Sequence, residues 1–304
     1  MASVTTSMGS PGDEVPRDEK QQVQLNEVVP RRHPGRWLAV ALLAVVVMQV
    51  VHGVIVNPNF HWSVFWEYLF APTVMAGVGW TLVLTVVAML VAIVCAGFLV
   101  LMRDSDNPIL RTVSWLWIWF FRGTPLYTQL LFWGLFAVLF PRLSISVPFG
   151  PEIIGVPTDW VVTAGVAAIL GLGLCESAYL AEIFRAGFRA IDRGQTEAAQ
   201  AIGMSRGRIW WRILLPQALR TIIPPTGNET IGMLKGTALV LAVPFTLDLM
   251  FATSAIANRI YLPVPMLMVA AFWYLVITSV MMIGQFYLER HFGRGQDFVQ
   301  TRHT

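Results

Sequence analysis

The sequence predicts an all-α protein that crosses a membrane six times, with both termini on the cytosolic side. Three observations predict it. Of 304 residues, 56% are hydrophobic and 13% charged, about half the ~25% charged share of a soluble domain. Apolar runs recur along the chain at about the 20-residue length that a bilayer requires. Lys and Arg avoid every second connecting loop, which is the asymmetry that orients spans.

Residues 1–35 are polar, with almost no aromatics. They cannot bury enough apolar surface to order themselves and read as a disordered cytosolic tail. No small-residue cleavage site follows the first apolar run, so a signal peptide is not indicated. The first span is 37–56. Residues 57–72 carry Trp62 and Trp66 but no Lys or Arg, as expected of an outer loop with aromatic anchors. Residues 36–72 thus form an additional N-terminal span and its loop.

The second span is 74–102, ended by Arg103 to Pro108. The third is irregular: 110–121, a break at Arg122-Gly123-Thr124-Pro125-Leu126, then 127–140. Gly and Pro at membrane depth mark a break that protein neighbours must satisfy. Four prolines make 141–160 an extended outer loop. The fourth span is 161–184, the fifth 230–251 and the sixth 266–288; 291–304 is a charged cytosolic tail. In this arrangement 57–72, 141–160 and 258–265 lie outside and hold only Arg142 and Arg259. The net charge of +3 therefore reports topology rather than nucleic-acid binding. No inverted internal repeat is visible.

Several chemistries are excluded. Cys95 and Cys175 sit in apolar runs and read as buried hydrophobes, not as a disulfide or metal pair. The five histidines lie outside the apolar stretches or at their ends, and no nucleophile–base constellation is recognisable. No phosphate-binding GxxxxGK[ST] loop occurs, so the chain is no ATPase by itself.

The long polar segment 185–225 stands out. Residues 195–204 read as a short helix, with Thr196 as cap and Glu197 in the first turn. Ala198, Ala199 and Ala201 give it a slim surface, and Gly203 can take positive φ and end it. Ser205 can cap a second helix over 206–215. Ile209, Ile213 and Trp210 line one face; Arg206, Arg208 and Arg212 reach headgroups. Pro216 ends or kinks that helix, and Pro224-Pro225 interrupts the next. On this chemistry alone, a plain interfacial anchor and a docking element for a cytosolic partner both remain open.

The motifs decide between them. Glu197-Ala198-Ala199, three residues, Gly203, nine residues, Ile213, one residue, Leu215-Pro216 resembles the EAA signature of ABC-importer permease subunits. Gly194-Gln195, Gln217-Ala218-Leu219-Arg220, Arg122 to Leu126, Ala178 to Glu182, and Pro224 to Glu229 leading to Lys235 resemble the polar amino acid permease subfamily. The resemblance spans about 77–290 with the motifs in order. It departs at Lys235-Gly236-Thr237-Ala238-Leu239, where the family commonly has Lys-Asp-Thr-Ser-Leu. A following Glu corresponds to Asp248 here. The span at 37–56 is additional to the five of many members.

The resemblance implies a type I ABC importer permease fold over 73–290. It implies that Glu197, Ala198, Ala199, Gly203, Leu215 and Pro216 dock in a cytosolic ATPase dimer. ATP and Mg then belong to that partner, and this chain carries no cofactor, metal or catalytic residue. A second permease copy or paralogue, an extracytoplasmic solute-binding protein and the lipid bilayer of the inner cell membrane complete the partners; nucleic acid is not one. The cargo expected is a polar amino acid or related zwitterion. An ion-coupled secondary transporter and a non-transporting scaffold are the alternatives.

Charged groups inside spans are costly unless paired or facing a cavity. Arg122 and Glu182 are expected to form a structural ion pair. Glu176, Lys235, Thr237 and Asp248 are the candidate substrate-pathway residues. Glu176 lies about two helical turns outward of Arg185, where a carboxylate could meet a substrate cation or could instead pair with Lys235.

Overall fold

A computed structural model describes residues 34–146 and 152–292. Of the tails expected at 1–35 and 291–304, residues 1–33 and 293–304 lie outside these residues, while 34–35 and 291–292 are helical. The chain divides into two units at Asn57/Pro58. The described part of the first is α1 (Pro34–Val56), an apolar helix long enough to cross a membrane.

The second unit opens with a 3₁₀ turn (Pro58–Phe60) and α2 (Trp62–Tyr68). Trp273 Nε1 donates to the Leu69 carbonyl at 2.8 Å, and Phe65 meets Phe272 edge-on, so this outer segment is held by the last helix. α3 (Pro72–Arg103) starts on Pro72 and ends at Asp104. Its buried Ala88, Ala92 and Ala96 make a smooth stripe. Small residues let membrane helices approach closely, and α3 packs along the fourth span, α8, described below.

The third span is broken where expected. α4 (Pro108–Gly123) is capped by Asn107, whose side chain accepts from Ile109 N at 2.9 Å. After Thr124-Pro125 the chain restarts as α5 (Leu126–Gly134) and α6 (Phe136–Leu139). Buried Gln129 clamps the break: its Nε2 donates to the Phe121 and Thr124 carbonyls and to Thr124 Oγ1 at 2.8–3.1 Å. This is how a protein neighbour meets the polar demand of a Gly-Pro break.

The segment 141–160, expected to be an extended outer loop, contains two paired strands. β1 (Arg142–Ser146) and β2 (Glu152–Pro157) pair antiparallel, with Leu143 opposite Val156 and Ile145 opposite Ile154. β-branched residues suit a pleated, half-exposed ribbon, and Arg142 Nη2 donates to the Gly155 carbonyl. A short α7 (Thr158–Val161) follows. The protein is thus mainly helical with one small hairpin.

α8 (Ala164–Arg189) is capped by Thr163 and runs a turn beyond the expected end. α9 (Arg193–Ala201) and α10 (Arg206–Ile209) form the polar loop. α11 (Leu215–Gly236) then contains Pro224 and Pro225 rather than breaking at them. Side chains reinforce carbonyls beside the prolines: Thr226 Oγ1 donates to Ile222 O, and Gln285 Nε2 of the last helix donates to Pro224 O at 2.7 Å.

The break falls later, inside the span expected at 230–251. A 3₁₀ turn (Thr237–Ala242) follows α11, and α12 (Leu249–Ile260) begins only after Pro244 and the cap Asp248. α13 (Pro263–Phe292) closes the unit. Among the described residues, four helices (α1, α3, α8 and α13) are individually long and apolar enough to cross a membrane. The third and fifth segments are interrupted.

One core joins α3, α4, α5 and α8; a second joins α2, the start of α3, α12 and α13. Gly77 sits where α3 meets α12: a Cβ there would lie 2.8 Å from Leu249 Cα. Gly77→Val is therefore expected to cost about 1–3 kcal/mol through overpacking, read as a lowered melting temperature of the purified chain. An unchanged melting temperature would show that the two helices separate freely.

Candidate functional site

The polar loop is built tightly. Only Ala190–Asp192 separate α8 from α9. The Asp192 side chain caps α9 by accepting from Gly194 N at 2.7 Å. The cap is thus Asp192 and not Thr196, because the helix starts two residues earlier than its alanine run suggests. At the other end Gly203 has φ +79°. Gly203 N donates to Gln200 O and Met204 N to Ala199 O, at 2.9 and 3.1 Å. These two bonds are the Schellman pattern, which ends a helix on a left-handed residue and satisfies its last carbonyls.

The face this creates is polarised. Ala199 is 2% exposed and anchors the helix inward. Glu197, Ala198, Ala201 and Gly203 are exposed, and Ile202 is 78% exposed. No Cβ-distance contact exists within 4 Å of Gly203, so the surface beside it is open. A large aliphatic side chain and a carboxylate therefore flank an open, glycine-terminated helix end, as a docking knob requires.

Beyond the turn the expected second helix is corrected. Ser205 is extended and makes no side-chain cap bond. α10 covers one turn, and Trp210–Leu214 are π-helical, with Leu215 N donating to Trp210 O. A wider turn accommodates Pro216, whose ring and missing N–H an α-helix interior rejects. The helix is consequently continuous from Arg206 to Gly236 instead of ending at Pro216. Ile209 and Ala218 are buried, Leu215 is half-buried and Pro216 exposed; Phe188 at the end of α8 stacks on Trp210. The polar loop thus runs directly into a rod of roughly 45 Å at ~1.5 Å per residue.

The charged residues in the spans arrange differently from expectation. Glu182 pairs with Arg185 at 3.1 Å, one turn along α8, and not with Arg122. Arg122 lies over the Tyr179 ring at 5.3 Å. Both line one cavity with Trp115 and Trp119, but the i,i+3 neighbour on the same helix reaches Glu182 first.

The four substrate-pathway candidates do not converge. Thr237 is fully buried, donates to Leu234 O and shares a hydrogen bond with Tyr274 Oη. Asp248 is also fully buried; its Oδ2 accepts from Met250 N and Phe251 N at 2.9 and 3.2 Å. It is the N-cap of α12. Asp248→Ala is expected to destabilise the chain by about 1–2 kcal/mol, as cap losses do, and Asp248→Asn much less. Loss of uptake at unchanged melting temperature would instead make Asp248 a pathway residue. Lys235 is exposed near the end of α11.

Glu176 keeps its interest. It is half-buried on α8, and its Oε1 is buried with no hydrogen-bond partner. Its carboxyl faces Glu229 on α11, not Lys235. Two facing carboxyls inside an apolar span either share a proton or take a cation between them. Glu229 was missed as a site residue because its motif carried no sign of the partner across the helix pair.

With this geometry in place, the relatives are informative. An arginine transport system permease protein (ArgU) of Corynebacterium glutamicum is 44% identical over 269 residues, covering 88% of this chain and 84% of the relative. A histidine/lysine/arginine/ornithine transport system permease protein (HisM) of Escherichia coli K12 is 34% identical over 208 residues, covering 67% and 82%. The crystal structure of an amino acid ABC transporter with histidines superposes with a TM-score of 0.60 at 32% identity, over 73% of this chain and 95% of that one. Residues 88–294 match the family described as binding-protein-dependent transport system inner membrane component. This chain belongs to that family of membrane permease subunits.

Proposed function

We propose that the chain is the membrane-spanning permease of an ATP-driven importer for a polar amino acid or related zwitterion, with a preference for cationic side chains. It crosses the inner cell membrane six times in the type I importer arrangement: α1, α3, the broken α4–α6, α8, the broken α11–α12, and α13. Both termini are cytosolic. The observation that carries this reading is the exposed, Schellman-terminated α9, tied by three residues to α8 and by the Trp210 π-turn to α11. Such an element serves a partner that moves, and this chain has no phosphate-binding loop of its own.

In this reading ATP and Mg are bound by a separate ATPase dimer that grips Glu197, Ala198, Ala199, Gly203, Leu215 and Pro216. A second permease copy or paralogue completes the pathway, and an extracytoplasmic binding protein delivers cargo to the outer face. Relatives named for arginine and for histidine, lysine, arginine and ornithine support a cationic cargo. The paired Glu176 and Glu229 carboxyls support it chemically.

Co-purification tests the assembly. The tagged chain is expected to retain its ATPase subunit, and a loaded binding protein to stimulate ATP hydrolysis by the complex. A chain that purifies with no ATPase overturns the proposal.

A further inference from the structure

The ends of three helices converge on a cavity beside the start of the polar loop. α3 ends at Arg103, α4 begins after Asn107 and α8 ends at Arg189. Between them lies a cavity of about 590 Å³, lined by Arg103, Arg111, Arg185, Arg189, Asp104 and Asp106, with Trp115 at its side. Four guanidinium groups face two carboxylates. Arg185 is paired with Glu182 at 3.1 Å. Arg103 gives Nη1 only to the Arg111 carbonyl, at 3.4 Å. Among the described residues Arg111 and Arg189 have no ion-pair partner. With Glu182 counted beside Asp104 and Asp106, the four guanidinium groups leave one net positive charge, which a bound anion would neutralise.

The lining selects that anion. Guanidinium groups bind phosphate oxygens with paired, charge-assisted hydrogen bonds. The volume falls among pockets of ~300–1,000 Å³ that hold a small molecule, which exceeds the need of a bare ion. The cavity also borders an apolar surface: Ile109, Leu116 and Trp119 on α4 are all exposed. Trp115 stacks on Trp119, and a second cavity of about 450 Å³ shares Arg103 and Trp115 and continues past Trp119. A ligand with a phosphate at one end and an apolar body at the other fits this run.

We propose that the cavity formed by Arg103, Arg111, Arg185 and Arg189 binds the headgroup phosphate of an anionic phospholipid. Basic pockets between spans at the cytosolic face are suited to such headgroups. The cytosolic placement rests on the orientation proposed above; the phosphate chemistry does not.

The test is native mass spectrometry of the full-length chain. It is presented with equal amounts of phosphatidylglycerol and phosphatidylcholine of matched acyl chains, with and without excess inorganic phosphate. Phosphatidylglycerol is expected to be retained preferentially. Arg111→Gln with Arg189→Gln is expected to weaken its binding about thirtyfold, given ~1 kcal/mol for each basic residue at an anionic surface. Phosphatidylcholine should be unaffected. Both arginines are exposed, so the variant should fold, and Arg111→Lys with Arg189→Lys supplies a charge-preserving control with higher occupancy. Arg259→Gln, an exposed residue that does not line the cavity, should change nothing.

Equal retention of both lipids overturns the proposal. So does an equal phosphatidylglycerol loss in the Arg259 variant. Displacement of the lipid by inorganic phosphate alone would make the site one for the free anion and overturn the lipid assignment. No step requires transport. A chain inactive in uptake but selective for phosphatidylglycerol sinks the transport reading and not this one. Labelling of Ser105→Cys from the outer face likewise overturns the orientation alone.

Discussion

Gly203→Asp is expected to leave the protein inserted, folded and bound to lipid, yet to cut coupled uptake about a hundredfold. Two costs add. A side chain at φ +79° is strained by ~1–2 kcal/mol. A misdirected turn beside Ile202 also removes a central contact of the docking face, commonly worth ~2 kcal/mol or more. Nothing lies within 4 Å of the added Cβ, so the fold itself loses little. Asp brings a charge to this face; Asn tolerates the left-handed conformation without it, so Gly203→Asn should fall between wild type and Asp. The measurement is uptake against ATP hydrolysis in the same vesicles. Hydrolysis that no longer responds to loaded binding protein, at normal permease abundance, is the expected pattern. Normal transport by Gly203→Asp would remove α9 from the coupling pathway.

Glu176→Gln is expected to lower uptake of cationic amino acids about 10–100-fold, the share of one charge-assisted hydrogen bond at ~1.5–3 kcal/mol. Glutamine keeps the shape of the side chain and removes its charge. Stability should hold or rise, since the repulsion against Glu229 is relieved. Uptake of a neutral amino acid by the same complex should change far less, so the ratio of the two is the informative number. Unchanged affinity and rate for the cationic cargo in an intact complex would end the pathway role of Glu176.

Much of the fold is legible because apolar runs, caps and turn residues act locally. The break at Gly123–Pro125 and the positive φ of Gly203 follow from residue type alone. What eluded sequence reasoning depends on neighbours distant in the chain. Pro224-Pro225 reads as an interruption, yet the helix continues, with Gln285 from α13 donating to the Pro224 carbonyl and Thr226 to that of Ile222. The hydrophobic run 230–251 reads as one span, yet Asp248 caps a new helix because Thr81 Oγ1, 168 residues earlier, also receives Leu249 N.

The site divides the same way. The coupling loop is carried by a contiguous motif and can be placed residue by residue. The ionisable residues in the spans cannot, because several partners lie within reach and only the packing selects one. Arg122 and Glu182 are close enough to line one cavity, but Arg185 is the nearer cation. Glu176 meets Glu229 where opposite charge was expected.

Uptake into proteoliposomes holding this permease, its ATPase subunit and the loaded binding protein decides whether the chain is driven as proposed. The radiolabelled cationic amino acid should accumulate only with ATP and Mg on the ATPase side, and dissipating the proton and sodium gradients should leave the rate unchanged. Accumulation that follows an ion gradient and ignores ATP would contradict the account.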